Sequence, residues 1–118
     1  MVRFKELEIW NSGKEIAIEI YKISNKFPME EKYGISSQMQ RAAVSVPSNI
    51  AEGSGRQYNK EFIQFLNLSK GSLYELMTQL EIVYELNYIN ESDFKGINEK
   101  CIILAKRINA MIKSLKDK

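Results

Sequence analysis

The stretch Arg41–Arg56, RAAVSVPSNIAEGSGR, decides the fold, because it combines a helical pattern with a proline near its centre. Inside a helix, Pro47 donates no backbone hydrogen bond and crowds the carbonyl of Ala43, which costs about 3 kcal/mol. The stretch is therefore either interrupted at Val46 or forms one kinked helix. Val46 is a poor N-cap, which argues against the interruption. One apolar line also runs through the proline, formed by Met39, Ala42, Val46 and Ile50. We predict a single helix, kinked near Pro47.

Three further segments have apolar residues at helical spacing. The first runs from about Lys5 to Lys26 and ends before Pro28. The kinked helix follows Gly34, with Ser36 as its predicted N-cap, and ends at EGSG. The third segment runs from Asn59 to about Leu86 and the fourth from Ser92 to Leu115, with Asn59 and Ser92 as predicted caps. Because the connections are short, we predict an all-α, antiparallel up-down four-helix bundle, with residues 1–118 as one domain.

Composition excludes several classes of chemistry. The chain has 118 residues, no histidine and one cysteine, Cys101. An internal disulfide, a Cys–His pair, a Ser–His–Asp triad and the Glu-x-x-His pattern of di-iron bundles are therefore all absent. We expect no metal site, no cofactor and no catalysis. No signal sequence or apolar run long enough to span a membrane is visible, so we expect a cytoplasmic protein.

A polar line accompanies the apolar line of the second helix. It consists of Gln38, Arg41, Ser45, Asn49, Glu52 and Arg56, spaced three or four apart. The third helix carries a matching set in Ser72, Glu75 and Gln79. The sequence leaves three alternatives open for these two sets. They form an interface between subunits, a solvated surface, or a network inside one bundle. In the first case, Glu75 would pair with Arg41 or Arg56.

Three stretches carry a resemblance to a known family. FKELEIW, FPMEEKYGISSQMQRAAVSVPSNIAEGSGR and FIQFLNLSKGSLYELMTQLEI resemble the four-helix-bundle proteins encoded in intervening sequences of bacterial 23S ribosomal RNA genes. The similarity extends over nearly the whole chain. The related accessory variability proteins of diversity-generating retroelements share the fold. The motif and seam residues are Gln38, Arg41, Ser45, Pro47, Asn49, Glu52, Gly53, Arg56, Gly71, Ser72 and Glu75.

This resemblance implies an antiparallel bundle that assembles as a barrel-shaped homopentamer with a central pore. The retroelement branch is associated with binding of nucleic acid and a reverse transcriptase. The family's connection with ribosomal RNA reflects gene location, so we do not expect a ribosomal subunit.

The last helix is rich in basic residues. The residues from Lys95 to the end include seven basic and two acidic side chains. Candidate contacts to nucleic acid are Lys100, Lys106, Arg107, Lys113 and Lys116. Alternatively, these residues only solvate the bundle and complement the helix dipole. Aromatic residues do not interleave with them, so we expect electrostatic binding with little sequence preference.

Two classes of function follow. The first is a non-enzymatic oligomer that binds nucleic acid, RNA in particular. The alternative is a protein-interaction scaffold whose polar seam and pore hold a protein partner such as a reverse transcriptase. RNA binding should weaken steeply with salt, whereas the scaffold should not bind RNA.

Overall fold

The computed structural model describes residues 3–118, in which four α-helices account for most of the chain. These are α1 (Glu8–Ser24), α2 (Ile35–Ser54), α3 (Asn59–Glu85) and α4 (Glu91–Lys116). Two short 3₁₀ turns, Arg3–Glu6 and Met29–Glu31, precede α1 and α2. Residues 3–118 contain no β-strand. The all-α prediction is confirmed.

Neighbouring helices run antiparallel, as the order of their contacts shows. Along α2 and α3, Val46 meets Ser69, whereas the later residue Gly53 meets the earlier residue Phe62. The other neighbouring helices show the same reversed order of contacts. Helices α1 and α2 meet at Gly13–Val46 and Ser24–Gln40, and α3 and α4 meet at Lys70–Asn109 and Tyr84–Phe94. Helices α1 and α4 meet at Glu8–Arg107 and Glu19–Lys100. Since α4 also packs on α1, the four helices close a bundle about 46 Å long.

One hydrophobic core runs through the bundle and draws on every helix. Its fully buried side chains include Ile20 of α1, Met39 of α2, Leu76 of α3 and Ile108 of α4. Burying a side chain of this size contributes about 1.5–3 kcal/mol, which makes this apolar stripe the main force that holds the helices together.

Helix α2 continues through the proline without interruption. Pro47 is buried against α1, where a Cβ built on Gly13 would lie 3.4 Å from the proline ring. On the other side, the Ser69 hydroxyl of α3 donates to the carbonyl of Val46 at 2.8 Å. The interruption at Val46 is thereby excluded, and the helix is held on both sides at the proline. The kink itself stays a prediction.

The three predicted N-caps are wrong. Helix α2 begins at Ile35, so Ser36 lies inside the first turn and is buried. Asn59 is the first residue of α3, after Tyr58. The N-cap of α4 is Asn90, whose side-chain oxygen accepts from the backbone N–H of Asp93 at 2.7 Å, which places Ser92 within the helix. Several residues near each start are suitable caps, and packing of the first turn decides among them.

Candidate functional site

The polar residues predicted on α2 and α3 meet in one groove between these helices. Gln38, Arg41 and Ser45 line it from α2, and Ser72 and Glu75 line it from α3. The groove has a volume of about 380 Å³. The spacing in the sequence therefore identified side chains that lie together in the fold.

Hydrogen bonds within the chain engage Ser45 and Ser72, which both line this α2–α3 groove. The Ser72 hydroxyl donates to Ser45 Oγ at 2.9 Å. Asn49 Nδ2 donates to the carbonyl of Ser45 at 2.9 Å and to its Oγ at 3.0 Å. All three residues are half-buried. Of the three alternatives given for the polar residues of α2 and α3, these three residues form the network inside one bundle.

The charged residues of the groove are not paired with each other. Arg41 and Glu75 are both exposed. Within residues 3–118 no salt bridge joins Glu75 to Arg41 or Arg56. Glu75 instead accepts a long hydrogen bond from Gln79 Nε2 at 3.4 Å, and the buried Oε1 of Gln79 has no partner in that part of the chain. Both charges therefore remain accessible to another molecule.

Two further members of the predicted seam lie beyond the groove, at the end of α2. Glu52 and Arg56 approach to 4.0 Å across one helical turn, and both are exposed. The Arg56 guanidinium lies 4.7 Å from the ring centre of Phe65. An exposed pair of this kind contributes less than about 1 kcal/mol. These residues stabilise the α2–α3 corner locally.

Pro47 and the two glycines of the motif differ in their surroundings. Pro47 and Gly53 are buried, and a Cβ at Gly53 would lie 2.6 Å from Phe65 Cβ. Gly71 is exposed, and a Cβ there would meet no atom within 4 Å. Packing within the chain thus requires glycine at position 53 and not at position 71.

The basic residues predicted on α4 divide into two groups. Lys100 pairs with Glu19 at 2.7 Å, and the hydrogen bond from Lys100 to this carboxylate raises the lysine pKa. Arg107 forms an ion pair with Glu8. Exposed Lys106, Lys113 and Lys116 form no salt bridge within residues 3–118. Among the basic residues predicted on α4, those without a salt bridge in the described residues are therefore Lys106, Lys113 and Lys116.

The antiparallel arrangement separates charge along the bundle. One half, which we call the basic end, comprises residues 3–14, 47–69 and 104–118 and holds ten basic and five acidic side chains. The other half, the acidic end, comprises residues 15–46 and 70–103 and holds seven basic and ten acidic ones. The net charge of +2 conceals this polarity.

Two features were not predicted from the sequence. An apolar groove of about 380 Å³ lies between α1 and α2, where Ile18, Tyr21 and Val44 are exposed beside Pro47. A cavity of about 480 Å³ lies at the corner where α1 turns into α2. The apolar groove could have been found from the sequence, because Ile18 and Val44 are apolar residues that lie outside the periodic core positions. The cavity is formed by the connecting turn, whose shape periodicity does not specify.

The described residues 3–118 contain no cluster of three or more side chains suited to hold a metal ion. In the same range, no helix is long and apolar enough to cross a membrane. Cys101 is buried in the core, and this burial raises the pKa of its thiol to about 12. A thiol in this state is a poor nucleophile at neutral pH.

Comparison with known proteins places the chain in a family. The family model described as 23S rRNA-intervening sequence protein matches residues 5–110. Among solved structures, a protein of unknown function from the S23 ribosomal protein family of Bacteroides thetaiotaomicron is 25% identical. The match has a TM-score of 0.80 and covers 89% of this chain and 98% of that one. A search of curated proteins finds no match. Since the family model spans most of the sequence, the chain belongs to the 23S rRNA-intervening sequence protein family.

Proposed function

We propose that the protein is a non-enzymatic oligomer that binds RNA electrostatically through its basic end. The observation that carries this proposal is the excess of ten basic over five acidic side chains in that half of the bundle. Lys106 and Lys113 are exposed and form no salt bridge within residues 3–118, and their spacing of seven residues corresponds to about 10 Å along one side of α4. Cationic groups in such a row neutralise successive phosphates and release their counterions.

The surroundings of these lysines favour RNA backbone over RNA bases. The exposed apolar neighbours on α4 are aliphatic, Ile102 and Ile103, and offer no aromatic ring on which a base would stack. Binding should therefore depend on phosphate positions and vary little with sequence.

Assembly would strengthen this surface, because copies arranged in a ring add their fields. We propose the homopentamer that the family resemblance implies, with the α2–α3 groove as part of the contact between subunits. Arg41 and Glu75 support this assignment, since one subunit offers an accessible cation and an accessible anion in the same groove. Opposite charges placed side by side suit a contact between copies of one chain.

A salt titration tests RNA binding directly. Anisotropy of a labelled structured RNA should give an affinity that falls linearly on a log–log plot against salt. The double variant Lys106→Ala/Lys113→Ala should reduce the slope by about 0.9 for each duplex phosphate that the protein no longer neutralises. Lys95→Ala is the matched control, because Lys95 lies on the same helix in the acidic end and pairs with Glu91. No binding at low salt by the intact oligomer would refute the proposal.

The protein-interaction scaffold stays as a second candidate because of the apolar α1–α2 groove. Exposed apolar side chains that cluster in a groove are typical of protein contacts. A scaffold for a reverse transcriptase should co-migrate with that purified enzyme over a range of salt and leave RNA unbound. The titration above therefore separates the two functions.

A further inference from the structure

We propose that a second copy of this chain covers the apolar groove between α1 and α2 with the outward side of its own α3. The two surfaces would meet in the oligomer of the proposed function, on which this inference rests. The groove has a volume of about 380 Å³, and Ile18, Tyr21 and Val44 are 48%, 45% and 42% exposed in it. Exposed apolar side chains gathered in one groove are typical of a site that another protein surface covers.

The outward side of α3 carries apolar and small residues where water-facing residues are normally polar and charged. A row spaced three or four apart, which we call the α3 row, is formed by Leu68, Gly71, Glu75, Thr78 and Ile82. All five residues are exposed, Leu68 by 57% and Ile82 by 44%. The row extends over about 21 Å of helix, so it offers a continuous side for packing against another molecule.

Gly71 lies within the α3 row and leaves room for a close approach. Glycine is less favourable than alanine inside a helix, and a Cβ at this position would meet no described atom within 4 Å. Packing within the chain therefore does not account for this glycine. Where no side chain projects, another helix can come near the α3 backbone.

The two surfaces carry opposite charges. Lys14 and Lys22 line the groove together with no acidic residue, and neither lysine forms a salt bridge within residues 3–118. Residues 71–86 of α3 include three glutamates and no basic residue, and these glutamates likewise form no salt bridge in the described chain. Such complementarity steers an encounter and fixes its orientation. It favours the α3 of a second copy as the occupant of the groove.

The groove and the α3 row share no residue, so the contact is head-to-tail. Each copy would offer its α3 row to one neighbour and its groove to another, an arrangement that closes into a ring when the rotation between neighbours allows it. Glu75 belongs to the α3 row and also lines the α2–α3 groove. The contact proposed here is therefore continuous with the one proposed for Arg41 and Glu75.

Mixing two assembly-deficient variants tests this arrangement by native mass. Val44→Glu changes the groove and Ile82→Glu changes the α3 row, and the two side chains are similarly exposed in the single chain. Each variant alone should raise the dissociation constant of the contact about thirtyfold or more, because a charge is then buried without a partner. Ile103→Glu is the matched control, since Ile103 is 41% exposed on α4, outside both surfaces, and should leave assembly unchanged.

An equimolar mixture of Val44→Glu and Ile82→Glu should form a 1:1 dimer. One intact α3 row and one intact groove remain between the two copies, so a single contact is restored and the chain of contacts stops there. Both new residues carry the same charge, so they do not restore the altered contact by pairing. Formation of the dimer would also show that both variants are folded.

The outcomes separate this contact from the proposed function. An oligomer that survives either substitution would overturn the contact alone and leave the groove open to a different protein. A mixture that stays monomeric, with both variants helical by circular dichroism, would overturn it as well. A wild-type chain that is monomeric in native mass would refute the proposed oligomer together with this contact, whereas RNA binding is decided separately by the salt titration.

Discussion

Replacing Gly53 by alanine should destabilise the bundle, although alanine is the better helix former. Gly53 is buried in α2 where it faces α3. A Cβ at this position would lie 2.6 Å from Phe65 Cβ and 2.9 Å from Phe62 Cδ1. The first of these atoms is fixed close to the α3 backbone, so a rotamer change of the phenylalanine ring does not relieve the overlap. The two helices must separate, or the side chains must leave their packing.

The size of the effect follows from two opposing terms. Overpacking a well-packed core costs about 1–3 kcal/mol, and an overlap with a backbone-proximal atom belongs at the upper end. The helix propensity of alanine offsets this by about 1 kcal/mol. The free energy of unfolding of Gly53→Ala should therefore be about 2 kcal/mol below that of the wild-type protein.

Urea unfolding followed by circular dichroism measures this difference, and Gly71→Ala provides the matched control. Gly71 lies within α3, and a Cβ there meets no atom within 4 Å. Its replacement should raise the free energy of unfolding of the isolated chain by about 1 kcal/mol. If copies approach closely at Gly71, the same variant should also associate more weakly, which native mass reveals. A Gly53→Ala protein as stable as the wild type would refute the packing argument.

Three further predictions concern the groove, the proline and the cysteine. Arg41→Ala and Glu75→Ala should each shift native mass spectra toward smaller species, and unchanged masses for both would remove the α2–α3 groove from the subunit contact. Ser69→Ala should lower the free energy of unfolding by about 1 kcal/mol, because the bond from Ser69 to the Val46 carbonyl is buried; equal urea midpoints would contradict this. Since burial raises the pKa of Cys101 from 9.0 to about 12, the unfolded chain loses this proton first and stability should fall as pH rises from about 9 toward 12. Cys101→Ala should show a shallower decline over this range in urea unfolding, and an identical slope would rule out this linkage.

The helices were predictable because their signals are repetitive. In α4, Ile97, Leu104 and Ile108 each lie one or two turns from the next, so several residues predict the same face. Helix starts depend on one or two residues, and Asn90 and Ser92 are both good caps by chemistry alone. The structure selects Asn90, whose side chain reaches the Asp93 amide. Periodicity therefore located the elements and left their ends undetermined.

The candidate site was predictable for the same reason, and only in part. Spacing placed Arg41, Ser45 and Glu75 on facing sides of two helices, and the fold brings them to one groove. Spacing does not specify which polar groups bond each other, because that depends on interhelical distance and rotamer. Pairing of Lys100 with Glu19 likewise joins residues far apart in the sequence. The cavity beside Ser36 was missed because a turn without periodicity forms much of its wall.

The antiparallel fold gives a weakly charged chain two distinct electrostatic environments. Basic residues near the start of α1, the α2–α3 corner and the end of α4 are remote in sequence, yet they share one half of a bundle about 46 Å long. That length exceeds the screening distance of about 8–10 Å several times, so the charges at one end have little effect at the other. In the proposed function, the basic end would contact the phosphate backbone of RNA. The overall charge of +2 does not reveal this separation of charge, which the arrangement of the helices produces.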